Sequence, residues 1–298
     1  MINFNKFYKL FNLISLSLVV ASVLLLFFKG LNFGVDFKGG TLIELRSNDK
    51  NINVTSLRQS FNKMNLGDFN VKKFGNENDF LIKIEKKDTS ANAIELIKKE
   101  LTSSIGNSFN FRRVENVGPK VSDELLRSGI IAISLSLAAM LFYIWIRFEW
   151  QFSLGSIIAL FHDIVITLGI FSILSLEINL SIIAAVLTIV GYSMNDTVVI
   201  YDRIRENLNK YNRLNISEIA NLSINDTLAR TIITSVTTLL ALLSIFILGG
   251  EILRGFSFAM ILGVIIGTYS SIFVASPILK FFKVSYKTLE KEEEKIVP

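Results

Sequence analysis

The sequence predicts an α-helical membrane protein with six transmembrane helices and one separate α+β domain. The chain has 298 residues, of which 51% are hydrophobic and 19% charged, with a mean hydropathy of +0.49. Soluble domains are usually less apolar, and about 25% of their residues are charged. Six apolar segments are also long enough to cross a bilayer. A more polar segment with strand and helix patterns separates the first of them from the other five.

A helix needs about 20 predominantly apolar residues to cross the hydrocarbon core. The segments that meet this requirement, called spans one to six, cover residues 10–28, 128–146, 154–176, 178–200, 231–248 and 256–279. Span one has the position of a signal peptide. Its apolar core is too long for one, however, and no small-x-small cleavage site follows it. We therefore expect span one to be an uncleaved anchor.

The distribution of lysine and arginine predicts that both termini lie in the cytoplasm. An even number of spans places both termini on one side of the membrane, and cytoplasmic loops carry the excess of basic residues. The basic residues on the side of the termini are Lys6, Lys9, Arg147, Arg203, Arg205, Lys210, Arg213, Lys280, Lys283 and Lys287. The short loops on the opposite side carry only Glu177, Glu251 and Arg254. The long segment between spans one and two is then exported.

The exported segment carries the pattern of a small α+β domain. Strands are predicted over residues 35–45, 69–74, 80–84 and 109–117, with a turn over 76–79. Apolar residues recur at helical spacing in two places, at Val54, Leu57, Phe61 and Met64 and at Ile94, Ile97, Leu101 and Ile105. Thr55 or Ser56 is the expected N-cap of the first helix, and Ser90 that of the second. The order strand, helix, strand, strand, helix, strand is the ferredoxin-like arrangement.

These patterns divide the chain into four parts. They are a cytoplasmic N-terminus with span one (1–29), the exported ferredoxin-like domain (30–127), a region of five transmembrane helices (128–280) and a cytoplasmic tail (281–298). Nothing in the exported domain resembles a catalytic site.

The composition also excludes several classes of site. The chain has no cysteine, which rules out disulfides, iron–sulfur clusters and thiolate metal sites, and its single histidine rules out a multi-histidine metal site. We therefore predict no metal, no cofactor and no enzymatic activity. A membrane hydrolase built on His162 and Asp163 is disfavoured because it would need more metal ligands. The net charge of +5 is explained by cytoplasmic lysine and arginine, so no nucleic-acid partner is expected.

Polar residues within the spans are the candidate functional groups. An ionisable residue at the centre of a span costs about 2.5–3.5 kcal/mol on insertion scales, so something must offset that cost. The candidates are His162 and Asp163 in span three, Asn195 and Asp196 in span four and Arg230 at the start of span five. Taken singly, each could be an interfacial anchor or a structural hydrogen-bonding group. Taken together, with opposite charges and a hydroxyl-rich stretch after Arg230, they favour a proton relay.

Small residues recur every fourth position in span six, at Ala259, Gly263, Gly267, Ser271 and Ala275. Such a ridge allows two helices to approach closely, which predicts a helix contact rather than a face exposed to lipid.

Several motifs resemble those of one family. They are FGVDFKGGT (33–41), VENVGPKVSDEL (114–125), RFEW (147–150), the His162–Asp163 pair, GYSMNDTVVIYDRIREN (191–207) and NDTLARTIITSVTTLL (225–240). In this order they are similar to the motifs of SecF, the smaller membrane subunit of the bacterial SecD–SecF protein-export complex. SecF proteins form part of the resistance-nodulation-division superfamily. The resemblance covers nearly the whole chain.

The resemblance implies a function and a set of partners. It implies an auxiliary subunit of the Sec translocase in the cell inner (plasma) membrane. With SecD as heterodimer partner, this subunit would use the proton-motive force to promote export of unfolded proteins. The SecYEG channel is an implied partner, and YajC and YidC are further candidates. In the family, the carboxylate of the Asn-Asp motif and the arginine of the Arg-Thr motif act as an intramembrane pair. Those positions are Asp196 and Arg230 here.

Two other functions are compatible with the residues alone. A stand-alone proton-coupled exporter of small molecules would need a second six-span half, which one chain supplies only by homodimerisation. A passive scaffold that recruits other subunits would not depend on Asp196 or Arg230.

Overall fold

The computed structural model describes residues 1–48, 52–63, 68–74, 76–85, 95, 99, 102–103, 109–211, 213–286 and 288. The chain divides into two compact units. The membrane unit comprises Met1–Asn32, Ala132–Leu176 and Ser181–Pro298, and the sheet unit comprises Phe33–Ile131 and Glu177–Leu180.

The six predicted spans are confirmed as helices long and apolar enough to cross a membrane. They are Tyr8–Phe28, Lys120–Arg147, Trp150–Ile173, Leu180–Lys210, Ile216–Leu248 and Leu253–Phe281. Span two belongs to a helix that begins at Pro119. Span four continues to Lys210 and span five begins at Ile216, well outside the predicted bounds. A hydropathy pattern detects only the apolar part of a helix, so it missed these more polar turns.

Spans three, four and six form the interior of the membrane unit. More than half of the apolar stretch of spans three and six is buried, and half of that of span four, against less than a fifth in the other spans. Phe152, Tyr201 and Leu279 are fully buried in the common core of these three helices. Asp163 and Asp196 lie on two of these three interior helices, spans three and four, and their burial follows from that position.

Spans four and six pack against each other in regular steps. The facing positions are Ile189–Gly263, Ser193–Gly267, Thr197–Ser271 and Tyr201–Ala275. Both residue numbers rise by four at each step, so the helices run in the same direction and their ridges of every fourth residue meet. A Cβ atom on Gly267 would lie 3.1 Å from the Cα atom of Ser193. The small residues of span six therefore line this contact.

Span six is not a continuous α-helix. An α-helix covers Gly250–Ser270, a π-helical turn covers Ser271–Ala275, and a last α-helix covers Ser276–Phe281. The Ser276 hydroxyl donates to the Ser271 carbonyl, 2.8 Å away and five residues earlier, which fits the wider turn. Such single π turns are rare and occur frequently at functional sites.

The sheet unit contains a four-stranded antiparallel sheet. Its strands are β2 (Gly40–Ser47), β3 (Phe69–Phe74), β4 (Asn76–Ile84) and β5 (Phe109–Val117), in the order β3-β4-β2-β5. The chain also has two short strands, β1 (Asn32–Phe33) and β6 (Glu177–Ile178). A helix over Val54–Lys63 buries Leu57 and Phe61 in a cluster with apolar side chains of the sheet.

The sheet also carries an ion pair between a partly exposed arginine and a buried aspartate. The Arg46 guanidinium bonds both oxygens of Asp79 at 2.7 and 2.8 Å, and Asp79 is only 4% exposed. Because Asp79 favours the charged form of its partner, the pKa of Arg46 is raised.

Three details of the predicted exported domain were wrong. Residues Val35–Lys38 form a short helix, and the first long strand begins only at Gly40. Gly39 and Gly40 have φ angles of 77° and 126°, which only glycine adopts readily, so the chain turns sharply between the two elements.

The predicted turn over 76–79 belongs to β4. The side chain that receives a hydrogen bond at the start of the Val54–Lys63 helix is Asn53, which accepts from the Ser56 amide at 2.9 Å. The predicted second helix lies mostly outside the described residues.

The contact between spans four and six predicts an asymmetric effect of two alanine substitutions. Gly263→Ala would place a methyl group into the buried, branched side chain of Ile189, whereas Gly191→Ala on span four meets no atom within 4 Å. Overpacking of a well-packed interior costs about 1–3 kcal/mol. We expect Gly263→Ala to lower the midpoint of thermal unfolding of the detergent-purified protein and Gly191→Ala not to. Equal midpoints would contradict the described contact.

Candidate functional site

Asp196 lies on span four, one residue before a contact with span six, and its side chain is 3% exposed. The Thr268 hydroxyl of span six donates to Asp196 Oδ2 at 3.3 Å. The Ser235 hydroxyl of span five is 2.8 Å from that of Thr268. The carboxylate is therefore the end of a short chain of hydroxyl groups that joins spans five, six and four. Hydroxyl groups both donate and accept, so such a chain can pass a hydrogen bond in either direction.

Arg230 lies on span five with an exposed side chain. Its charge is close enough to Asp196 to act on it electrostatically. Within the described part of the chain, no ion pair connects the two side chains at 4.0 Å or less. The structure thus brings the predicted cation near the predicted carboxylate without direct contact. An exposed guanidinium near a buried carboxylate retains donors for another partner.

The hydroxyl groups at the start of span five have three different surroundings. Thr234 and Thr237 donate to carbonyl groups of their own helix, which leaves them outside the network around Asp196. Thr231 is buried, and among the described residues its hydroxyl has no hydrogen-bond partner. Ser235 is the member of this stretch that reaches Thr268.

Asp163 is at the centre of a second polar cluster, on span three, with no exposed surface. His162 Nδ1 is 2.8 Å from Asp163 Oδ1. The other oxygen, Oδ2, accepts from the hydroxyls of Ser193 on span four and Ser270 on span six. Both carboxylate oxygens are occupied, and three helices meet at this one side chain. His162 Nε2 is buried and has no partner among the described residues.

The remaining candidate, Asn195, is not brought to either cluster. Its side chain is exposed on span four. Among the described residues, no hydrogen bond to it is found. Adjacent positions on a helix point about 100° apart, which explains why Asn195 and Asp196 have different surroundings.

The charged end of the GYSMNDTVVIYDRIREN motif has a structural role that the sequence did not reveal. Asp202 pairs with Arg147 at 2.6 Å and Arg205 pairs with Glu149 at 3.0 Å, which joins the end of span four to the RFEW segment. Arg203 pairs with Asp226 of span five at 2.8 Å. The alternation of acids and bases in both motifs was the available signal, but their partners are distant in sequence.

The described residues contain no group of three or more histidine, cysteine, aspartate or glutamate side chains that could hold a metal ion. The candidate site therefore consists of two carboxylates, a nearby arginine and serine and threonine hydroxyls.

Comparison with known proteins assigns the chain to a family. The family model for protein export membrane protein SecD/SecF, C-terminal, matches residues 97–285, and that for the SecD/SecF GG motif matches residues 24–49. Protein translocase subunit SecF of Rickettsia bellii (strain OSU 85-389) is 50% identical over 253 residues, 84% of this chain and 83% of the relative. The SecF subunit of Cereibacter sphaeroides is 42% identical over 279 residues, 91% of this chain and 86% of the relative.

Solved structures agree with this assignment. The crystal structure of SecDF, a translocon-associated membrane protein from Thermus thermophilus, matches with a TM-score of 0.85 and 37% identity. The match covers 95% of this chain and 38% of that chain. SecDF in a super-membrane-facing form matches with a TM-score of 0.70 and 35% identity, over 99% of this chain and 40% of the other. The chain thus spans about two fifths of the SecDF chains that it matches. The resemblance read from the motifs is confirmed, and the chain belongs to the SecF family of protein-export membrane proteins.

Proposed function

We propose that this chain is an auxiliary subunit of the Sec translocase that, together with SecD, uses the proton-motive force to promote export of unfolded proteins. The observation that carries the proposal is the position of Asp196. It is a buried carboxylate whose partners are hydroxyl groups and the nearby charge of Arg230. Buried ionisable groups within membrane helices mark proton relays and ion pathways, since their cost otherwise opposes insertion. The proposed role is accessory, with no catalytic activity.

The proposed cycle depends on the charge of Asp196. While ionised, Asp196 accepts the Thr268 hydroxyl and attracts Arg230. Protonation removes the negative charge, weakens that attraction and lets Arg230 take another acceptor, for which SecD is the proposed source. Moving one charge through the membrane potential supplies about 2.3 kcal/mol per 100 mV. That is sufficient to shift the equilibrium between two conformations whose free energies differ by a few kcal/mol.

Of the other residues that the sequence predicted for a relay, His162, Asp163 and Asn195, none carries a proton in the proposed cycle. His162 and Asp163 form a buried hydrogen-bonded pair. We assign this pair a structural part, because both carboxylate oxygens of Asp163 are already hydrogen-bonded. Asn195 is exposed beside Asp196 and could contact a neighbouring helix of the complex.

The proposed assembly places this chain beside a second half with six spans. The matched SecDF chains are more than twice as long as this chain, which supports SecD as the missing half and a heterodimer as the working unit. SecYEG, YajC and YidC are proposed as further partners on the basis of family membership. The proposed location is the cell inner membrane, with both termini in the cytoplasm.

We also propose the ferredoxin-like arrangement for the exported domain, within the boundaries 1–29, 30–127, 128–280 and 281–298 given above. The antiparallel sheet places the first long strand between the last two, in the order β3-β4-β2-β5, as that arrangement requires. The Val54–Lys63 helix supplies one of its two helices.

The proton role predicts a large effect of Asp196→Asn. Asparagine keeps the shape and can still accept from Thr268 but cannot exchange a proton. Removal of a group that transfers protons typically lowers a rate by a hundredfold or more, so we expect export of a slowly exported protein to fall by about tenfold at least. Pulse-labelling in cells measures this rate. The exposed Asp68→Asn serves as control, and normal export by Asp196→Asn at wild-type levels of the complex would refute the role.

The pairing with Arg230 makes a separate prediction. Arg230→Met should reproduce the defect of Asp196→Asn, and Arg230→Lys should give a milder one because lysine keeps the charge but not the planar fork. If the two side chains act as one unit, the double variant should be no worse than either single variant. Additive defects in the double variant would show two independent roles.

The proposed partner can be tested by purification. A tagged chain extracted from native membranes in mild detergent should copurify with SecD. Crosslinking that finds only contacts between copies of this chain would instead favour the stand-alone exporter.

A further inference from the structure

We propose that Asp163 is a positioning residue, which holds span six so that Thr268 reaches Asp196. This inference deepens the proposed proton switch and rests on it for its functional meaning. It gives Asp163 a role other than proton transfer.

Asp163 is fully occupied by partners from its own and two other helices. His162 bonds Oδ1, while Ser193 and Ser270 both donate to Oδ2. The residue has no exposed surface. A side chain with both oxygens engaged and no contact with solvent is poorly placed to exchange protons, but it is well placed to fix three helices relative to one another.

The residue of span six that bonds Asp163 lies two positions from the residue that bonds Asp196. Thr268 donates to Asp196, Ser270 donates to Asp163, and the Ser271 hydroxyl is 2.8 Å from that of Thr197. Two residues of span six that lie two positions apart thus bond the two carboxylates, and the next residue, Ser271, contacts span four. A rotation of this segment that breaks the bond to Asp163 would also move Thr268.

The π-helical turn begins immediately after Ser270 and gives the segment a place to rotate. The end of the π turn is held by Tyr201, whose hydroxyl donates to the Ala275 carbonyl at 3.0 Å, and the helix after it is held by the buried Leu279. A π turn closes each ring with one more residue than an α turn, so a shift between the two forms changes the phase of the helix. Upstream, span six packs closely against Ile189 and Ser193 of span four through Gly263 and Gly267.

Two kinds of variant distinguish a positioning role of Asp163 from proton transfer. One kind changes the carboxylate, and the other removes the serine hydroxyls that donate to it. In Asp163→Asn, the amide oxygen can take the place of Oδ2 and accept both serine hydroxyls. The amide nitrogen then faces His162, which accepts at Nδ1 in its other neutral tautomer. Asparagine therefore satisfies the positioning role and abolishes proton transfer. Ser193→Ala combined with Ser270→Ala does the reverse, since it removes both bonds and leaves the carboxylate.

The register of span six can be measured directly because the chain has no cysteine. Thr197→Cys and Ser271→Cys introduce a pair at a described contact, where a disulfide reports that the segment is in place. The pair is introduced into the wild-type, Asp163→Asn, Asp163→Ala and Ser193→Ala/Ser270→Ala backgrounds, expressed with SecD in membranes. Export is measured in the same four backgrounds without the cysteines.

The matched control is Thr188→Ala combined with Ser257→Ala. This pair also removes one hydroxyl from span four and one from span six, but each donates to a carbonyl of its own helix. We expect this control to keep both the disulfide yield and export.

Positioning predicts that Asp163→Asn retains both disulfide yield and export, within about twofold, as expected when no hydrogen bond is lost. The double serine variant and Asp163→Ala should lose both. An interhelical hydrogen bond in a membrane is worth a factor of about three on average, so loss of two should lower the disulfide yield by about tenfold. The serine variant keeps the test valid even if Asp163→Ala fails to accumulate.

Two results would overturn the inference. One is loss of export in Asp163→Asn with normal export in the double serine variant, which is the pattern of a proton carrier. The other is an unchanged disulfide yield in the double serine variant. The proposed function is tested separately by Asp196→Asn: normal export there, together with the disulfide pattern above, would refute the proton switch and leave the positioning role of Asp163 intact.

Discussion

The helix packing of the membrane unit depends on the hydrogen bonds and charges that stabilise two carboxylates buried in an apolar bundle. A carboxylate without water requires hydrogen-bond donors or an opposite charge, and leaving it unpaired costs several kcal/mol. Asp163 meets this requirement with donors on three helices. Asp196 meets it with the hydroxyls of Thr268 and Ser235 and with a nearby arginine. Both carboxylate oxygens of Asp163 are therefore occupied by hydrogen bonds, whereas the Asp196 carboxylate retains the capacity to bind a proton.

This difference relates packing to the proposed function. The close contact of spans four and six exists because small residues of span six face Ile189 and Ser193. The same closeness brings Thr268 and Ser270 within reach of the two carboxylates on either side. Membrane helices gain little from hydrophobic association with one another, so small-residue contacts and interhelical hydrogen bonds determine their arrangement. A change in the charge of Asp196 would thus act on the helix that holds the bundle together.

Much of the fold could be predicted from the sequence because its signals are local. Hydropathy located all six spans, and the strands over 69–74 and 109–117 were placed to the residue. The polar ends of spans four and five were missed because their charges pair with residues far away in sequence, such as Arg203 with Asp226. The cost of placing charge in a membrane helix marked Asp196 and Arg230 as candidates, and the resemblance to the family implied that they act as a pair. Ser193, Thr268 and Ser270 gave no signal, because serine and threonine are common in membrane helices and only the fold shows which of them face a carboxylate.

The central claim is that Asp196 gains and loses a proton within the membrane. Infrared difference spectroscopy of the complex with SecD, reconstituted in lipid and cycled between acidic and alkaline buffer, measures this directly. The account predicts a carbonyl stretching band of a protonated carboxyl group that appears on acidification, is absent in Asp196→Asn and shifts in frequency in Arg230→Met. An identical band in the wild type and in Asp196→Asn would contradict it.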